Sequence, residues 1–212
     1  MDLTWLGHAC FRLRGKTASV LTDPYPPALG PKLKALDADL VTFSHGHQNH
    51  SYRGALAGDP FLVEGPGEYE VAGVLLRGLA TFHDRANGAE HGRNTVYLIE
   101  LDDVRVCHLG DLGHRLLDDT LDALSDIDVL LVPVGGGRTL NAQRAAEVAR
   151  QVEPRVVVPM HYAQPAIAME LEPLDLFLKE MGVTEVNPLA KLTVQPSSAE
   201  AETRVAVLEM KA

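Results

Sequence analysis

Apolar residues in the first half of the chain fall in short runs of strand length, at 3–6, 10–13, 18–22, 40–44, 61–64, 69–71 and 74–77. Gly15, Gly65, Pro66, Gly67 and Gly73 punctuate them, as turn formers do between strands. The second half keeps two such runs, at 95–101 and 104–109, and then changes period. Leu117, Leu121 and Leu124 recur at helical spacing and lead into an apolar run over 129–132. Asn141 suits the N-cap of a helix over 142–152, where Ala145, Ala146, Ala149 and Val152 share one face before Pro154 stops it. A third helix has Pro173 in its first turn, a stripe of Leu174, Phe177, Leu178 and Met181, and Gly182 as its stop. Strands early and helices alternating with strands late predict an α/β protein. Its expected form is an αββα sandwich, two mainly antiparallel sheets packed face to face with helices outside.

Composition narrows the picture. The 212 residues are 46% hydrophobic, and no Ser-, Gly- or Pro-rich stretch marks a linker, so one domain over 1–212 is expected. Lys and Arg number 19 against 29 Asp and Glu, and the resulting charge of -10 repels a phosphate backbone, which excludes a general nucleic-acid binder. Asp2 stands where a signal peptide is basic, and the apolar stretch 129–134 is far below the ~20 residues of a membrane span. A soluble, cytoplasmic protein without a membrane partner is therefore expected. Cys10 and Cys107 sit in apolar, strand-like surroundings and are expected as buried thiols. The oligomeric state is left open.

Histidine carries the chemistry. Three of the nine histidines fall within six residues, in Ser44-His45-Gly46-His47-Gln48-Asn49-His50, directly after the apolar run 40–43. Side chains alternate along a strand, so His45 and His47 can face one side, and the turn beyond Gly46 brings His50 to a neighbouring position. Two imidazoles so placed can share a metal ion at ~2.0–2.1 Å per nitrogen. The competing reading is a polar surface loop.

Six further segments accompany this cluster. They are Trp5-Leu6-Gly7-His8-Ala9-Cys10-Phe11, Leu21-Thr22-Asp23-Pro24, Thr81-Phe82-His83-Asp84, Arg93-Asn94-Thr95-Val96, Cys107-His108-Leu109-Gly110-Asp111-Leu112-Gly113-His114 and Pro159-Met160-His161-Tyr162. In order and spacing, from about residue 3 to 162, they resemble the ascorbate-phosphate-lactonase-like branch of the metallo-β-lactamase superfamily. The resemblance is specific for fold and much less so for substrate, because one scaffold hosts many chemistries.

The resemblance implies a first metal site of His45, His47 and His83 and a second of His50, His161 and position 49, with Asp111 bridging the two. It makes Asp23 the acid that orients the histidine loop, although an ordinary turn Asp before Pro24 would look the same. His83 could equally be a capping or surface residue, and His8 and His114 are expected near the pocket in supporting roles. Asn49 departs from the family pattern, which has Asp there; a carboxamide brings no charge, so the second site is expected to be weakened. His108 is expected to be a satisfied structural histidine, and His91 a loop residue. Gly135-Gly136-Gly137-Arg138 could receive a substrate anion or serve as a flexible connector.

The implied cofactor is zinc, one or two ions, with manganese or iron as alternatives. A dication in an open site lowers the pKa of bound water to ~7 and supplies hydroxide at neutral pH. A hydrolase of an ester, lactone or phosphoester bond in a small, anionic substrate is the leading expectation, with Asp111 and His161 as catalytic residues. A metal- or ligand-binding protein without catalysis is the alternative, supported by Asn49. Export-dependent β-lactam degradation, nucleic-acid processing and two-domain flavin-linked di-iron chemistry are disfavoured by the absent signal, the charge and the length.

Overall fold

The computed structural model describes residues 1–196 and 202–211. Its strands are β1 (Asp2–Gly7), β2 (Cys10–Arg14), β3 (Ser19–Thr22), β4 (Leu40–Phe43), β5 (Phe61–Glu64), β6 (Gly67–Val71), β7 (Val74–Phe82), β8 (Arg93–Leu101), β9 (Val104–His108), β10 (Val129–Pro133), β11 (Val156–Met160), β12 (Leu192–Thr193) and β13 (Arg204–Val205). The helices are α1 (Asp118–Ala123), α2 (Ala142–Val152) and α3 (Leu174–Glu180), with a 3-10 turn at Arg53–Ala55. One sheet has the order β12-β1-β2-β3-β4-β5 and the other β13-β11-β10-β9-β8-β7-β6.

Both sheets are mixed. Six of the eleven strand pairings are antiparallel and five parallel, so the antiparallel majority is narrow. The parallel pairs lie where the chain crosses over through a helix or long segment, as between β10 and β11, which α2 connects. Buried on both faces, β10 and β11 are apolar throughout, without the alternation of a half-exposed strand.

Alternation on the first sheet sorts its residues into two cores. Leu3, Trp5, Phe11, Leu13, Val20 and Leu40 face inward and join the second sheet, α2 and Phe177 in one large cluster. Leu6, Cys10, Leu21, Val41 and Phe43 face outward into a smaller cluster. The helices cover the second sheet only. Tyr25, Leu29, Leu33 and Leu36 of the 24–38 segment close the outer face of the first, because Pro24, Pro26, Pro27 and Pro31 forbid a continuous helix there. Cys10 and Cys107 are buried free thiols, as their surroundings predicted. Among the described residues, no helix is long and apolar enough to cross a membrane.

A buried tyrosine ties the sheets together beside the histidine loop. Tyr97 of β8 donates its hydroxyl proton to the carbonyl of Phe43 at 3.0 Å, and its hydroxyl oxygen accepts the Gly65 N–H at 2.9 Å. Tyr97→Phe should therefore strand two buried backbone groups and lower unfolding stability by about 1–3 kcal/mol. Urea melts of the two proteins check this, and unchanged stability would show that the bonds contribute nothing net.

Candidate metal centre

Each residue singled out above follows a strand that runs toward the same end of the molecule. His8 follows β1, Asp23 follows β3, His45 to His50 follow β4, His83 follows β7, Asp111 comes shortly after β9, and His161 follows β11. Within each sheet these strands share one direction, since they are paired in parallel or separated by one antiparallel neighbour. Carboxyl ends of such strands commonly present site residues. His8, Asp23 and His161 then turn the chain sharply, at φ of 52°, 37° and 52° in the left-handed region. A non-glycine residue there costs about 1–3 kcal/mol, and such strain concentrates at functional sites.

Asp111 is the hub. Its Oδ2 lies 3.1 Å from Nε2 of His50, 3.1 Å from Nε2 of His83 and 3.8 Å from Nε2 of His45, and its Oδ1 lies 3.4 Å from Nε2 of His161. The His45 and His47 rings are 4.6 Å apart, and His47 lies 5.3 Å from His83. One triad of ligand atoms comes from His45, His47 and His83, and another from His8, His50 and His161, each with its atoms within 4.8 Å of one another. Donors at ~2.0–2.1 Å from one ion and ~90–110° apart would be separated by ~2.9–3.4 Å, close to the spacings around Asp111. Nε2 of His45, Oδ1 of Asp111 and both ring nitrogens of His161 are buried without a hydrogen-bond partner. Unpaired buried donors and acceptors are costly, so a cation fits this set of groups.

The electrostatics agree. Burial holds His45 down to about 3, and burial also lowers His8, His47 and His161, so these rings present lone pairs rather than charges at neutral pH. Burial acts against charge on His50 too, but the carboxylates of Asp111 and Asp23 overcome it and raise its pKa to about 10. Burial would push Asp111 up, yet His161 and His50 hold it well below the usual carboxylate range.

Surrounding groups fix this arrangement. Asp23 accepts from Nδ1 of His50 at 2.8 Å and from the Ser44 N–H at 2.8 Å, and Ser44 Oγ lies 2.9 Å from Nδ1 of His45. Asp23 thus orients both histidines, one of them through Ser44. Asn94 Oδ1 accepts the Asp111 N–H at 2.9 Å, while its Nδ2 donates to Thr81 Oγ1 and the Leu109 carbonyl. Gly110, at φ of 57°, leaves room for this contact, because a Cβ there would come within 2.5 Å of Asn94 Oδ1 and of the Ser44 Cβ. Gly113 packs against the His83 backbone in the same way. The two glycines therefore bring backbone close to supporting residues, and not to the hub directly.

The softer expectations resolve individually. His114 lies behind the centre, where its Nε2 accepts the Phe82 N–H at 3.1 Å and steadies the end of β7 before His83. His108 is fully buried and places Nε2 3.0 Å from the Ala9 carbonyl, a structural contact. Asn49 is part-exposed and lines the cavity mouth. His8 differs most from its expected supporting role: it is 2% exposed and puts Nε2 3.0 Å from Nε2 of His50, inside the second triad. Ser44 and Asn94 received no role from sequence, although both lie in the quoted segments. Their polarity among buried apolar neighbours was the only signal.

Beyond the histidines lies a cavity of about 470 Å³ lined by His47, Asn49, His83, Asp111, Arg138 and Glu170, among others. A second cavity of about 260 Å³ shares Gly137, Arg138 and Thr139 with it and adds Arg85, His91 and Arg144.

A profile of the beta-lactamase superfamily domain matches residues 2–161. A UPF0173 metal-dependent hydrolase of Thermococcus onnurineus is 33% identical over 207 residues, covering 81% of this chain and 89% of that one. The solved structure of a candidate Zn-dependent hydrolase of the metallo-β-lactamase superfamily from Thermotoga maritima is 35% identical. It covers 98% of this chain and 99% of its own, with a TM-score of 0.79. The diiron β-hydroxylase CmlA of Streptomyces venezuelae shares the fold at 16% identity and a TM-score of 0.62, covering 92% of this chain and 54% of that one. The chain belongs to the metallo-β-lactamase superfamily and, within it, to the branch whose members carry the name metal-dependent hydrolase.

Asp84, next to His83, organises the adjoining loop. Burial opposes its charge, but the backbone N–H groups of His91, Gly88, Ala86 and Glu90 hold its pKa down to about 2. A depressed carboxylate stabilises the fold above its ordinary pKa of ~3.9. That contribution should fade as pH falls toward 2, so the protection factors of the amides in residues 86–91, relative to their intrinsic exchange at each pH, should drop there. Asp84→Asn should already exchange fast at pH 7; slow exchange in this variant would contradict the assignment.

Proposed function

We propose that the protein is a hydrolase of a small anionic substrate, cleaving an ester, lactone or phosphoester bond with one or two divalent ions. The observation that carries this reading is a single buried carboxylate, Asp111, facing four imidazoles at 3.1–3.8 Å beside an open cavity. His45, His47 and His83 would hold one ion, His50 and His161 would serve a second, and Asp111 would touch both. Imidazole and carboxylate donors suit zinc, with manganese or iron as alternatives. When bound, such an ion lowers the pKa of a coordinated water and polarises the bond under attack.

The protein's own groups supply the rest. Asp111 would hold the two histidine sets in register and orient the attacking water. Asp23 keeps His50 with its proton on Nδ1 and Nε2 directed inward. Arg138 and Arg144 would receive the anionic end of the substrate, since the arginines found beside carboxylates are Arg53, Arg77, Arg105 and Arg155. The Gly136–Gly137 turn, with both residues at positive φ, places Arg138 at the wall shared by the two cavities.

Purified protein should hydrolyse at least one generic ester, lactone or phosphodiester, lose that activity on chelation and regain it with zinc or manganese. Asp111→Asn should lower turnover by at least ~100-fold, a scale typical of losing one charge-stabilising group in an active site. Arg138→Ala should raise KM for an anionic substrate by about 10–100-fold and leave KM for a neutral analogue unchanged, as expected for a lost charged hydrogen bond. Bound metal without turnover across such a panel would instead make this a metal-binding protein.

A further inference from the structure

We propose that His8, and not Asn49, completes the second metal site, together with His50, His161 and Asp111. The inference rests on the metal-dependent reading above and concerns which atoms of this chain make its second site.

The hydrogen-bond pattern around His50 is the starting point. Its Nδ1 faces a carboxylate oxygen of Asp23 at 2.8 Å, so Nδ1 carries a proton. Its Nε2 faces two further potential ligand atoms, Asp111 Oδ2 at 3.1 Å and His8 Nε2 at 3.0 Å. A positive charge among these atoms would stabilise their convergence. A second proton on His50 would relieve these contacts, but both nitrogens of His161 would still lack a partner although Nε2 points at Asp111 Oδ1 from 3.4 Å. One dication among the four residues would engage Nε2 of His8, His50 and His161 and an Asp111 oxygen together, leaving Nδ1 of His8 and of His161 without a partner. Spacings of 3.0, 3.1 and 3.4 Å match those of neighbouring ligands on one ion.

The fold also builds His8 for this position. Its carbonyl accepts the Trp5 indole N–H at 3.0 Å and the His161 backbone N–H at 3.2 Å, which locks His8 and His161 to one another. Their rings lie 4.3 Å apart, and those of His8 and His50 4.5 Å apart. The backbone of His8 is held at φ of 52°, where a glycine or asparagine would be more comfortable, so an imidazole is retained at a conformational cost. Asn49, in contrast, lines the cavity part-exposed and offers only a neutral carboxamide, and among the described residues no side-chain hydrogen bond joins it to His50, His161 or Asp111. An imidazole is a stronger donor to a zinc-like ion than a carboxamide oxygen. His8 therefore supplies the donor strength that Asn49 lacks, and the second site is not weakened by it.

The test is metal content by mass spectrometry after zinc loading and dialysis, with cobalt absorption as an independent reading of coordination. The wild type should hold about two ions per chain, Asn49→Ala about two, and His8→Asn about one, because loss of a ligand weakens a site by at least the ~10–100-fold seen for outer-shell changes. Asparagine tolerates the left-handed backbone, so His8→Asn should fold as judged by circular dichroism. Its cobalt spectrum should keep the bands of the first site and lose those of the second. Retention of two ions in His8→Asn overturns the proposal while leaving the metal-dependent reading intact. Loss of an ion in Asn49→Ala overturns it even if His8→Asn were not to fold. A wild type that binds no ion at all removes both the proposal and the reading beneath it.

Discussion

A carboxylate taken out of water must be compensated by hydrogen bonds, opposite charge or both. Asp111 meets this constraint with imidazoles from opposite parts of the chain, one of which, His50, has its pKa raised by the carboxylates of Asp111 and Asp23. Six strands from two sheets run toward this single group, and the chain turns through strained residues to reach it. Cores and sheets are arranged so that the cost of burying one charge is offset at one place. The same arrangement would suit a dication, with imidazole nitrogens and a carboxylate as donors and a surrounding shell that fixes ring orientation.

The supporting shell makes the centre a property of both sheets. Asp23 and Ser44 lie on the first sheet and fix His50 and His45. Asn94 lies on the second and fixes the Asp111 backbone, while Gly110 lets these two supports approach each other. Tyr97 pins the β4 end to the second sheet close by. Because the clustered histidines and Asp111 come from both sheets, the two must keep their packing for these side chains to stay in register. The superfamily fold also carries hydroxylation in CmlA, so the scaffold alone does not define the reaction. The groups lining the cavity must do that, and beyond the histidines and Asp111 these include Gln48, Asn49, Arg138, Thr139 and Glu170.

Much of this was legible in the sequence, for physical reasons. Strand-length apolar runs and the Asn141 cap marked the elements, since Asn141 does accept the Arg144 N–H and α2 spans Ala142–Val152. The spacing of His45, His47 and His50 signalled a ligand loop because few structural needs place three imidazoles so closely. Periodicity missed β12 and β13, two residues each, as they are too short to show a period. It also missed the proline-rich outer layer, whose apolar residues have no regular spacing. His8 was harder: a lone histidine after a strand looks the same whether it supports or ligates. Only the left-handed turn and the hydrogen bond from the His161 N–H to the His8 carbonyl bring it against His50.

The most direct test of the account is anomalous diffraction from crystals grown with zinc, recorded on both sides of the zinc absorption edge. Two peaks are predicted, one on each side of the Asp111 carboxylate, the first bounded by His45, His47 and His83 and the second by His8, His50 and His161. An anomalous map with no peak within bonding distance of Asp111 would contradict the claim that this buried carboxylate is the centre of a metal site.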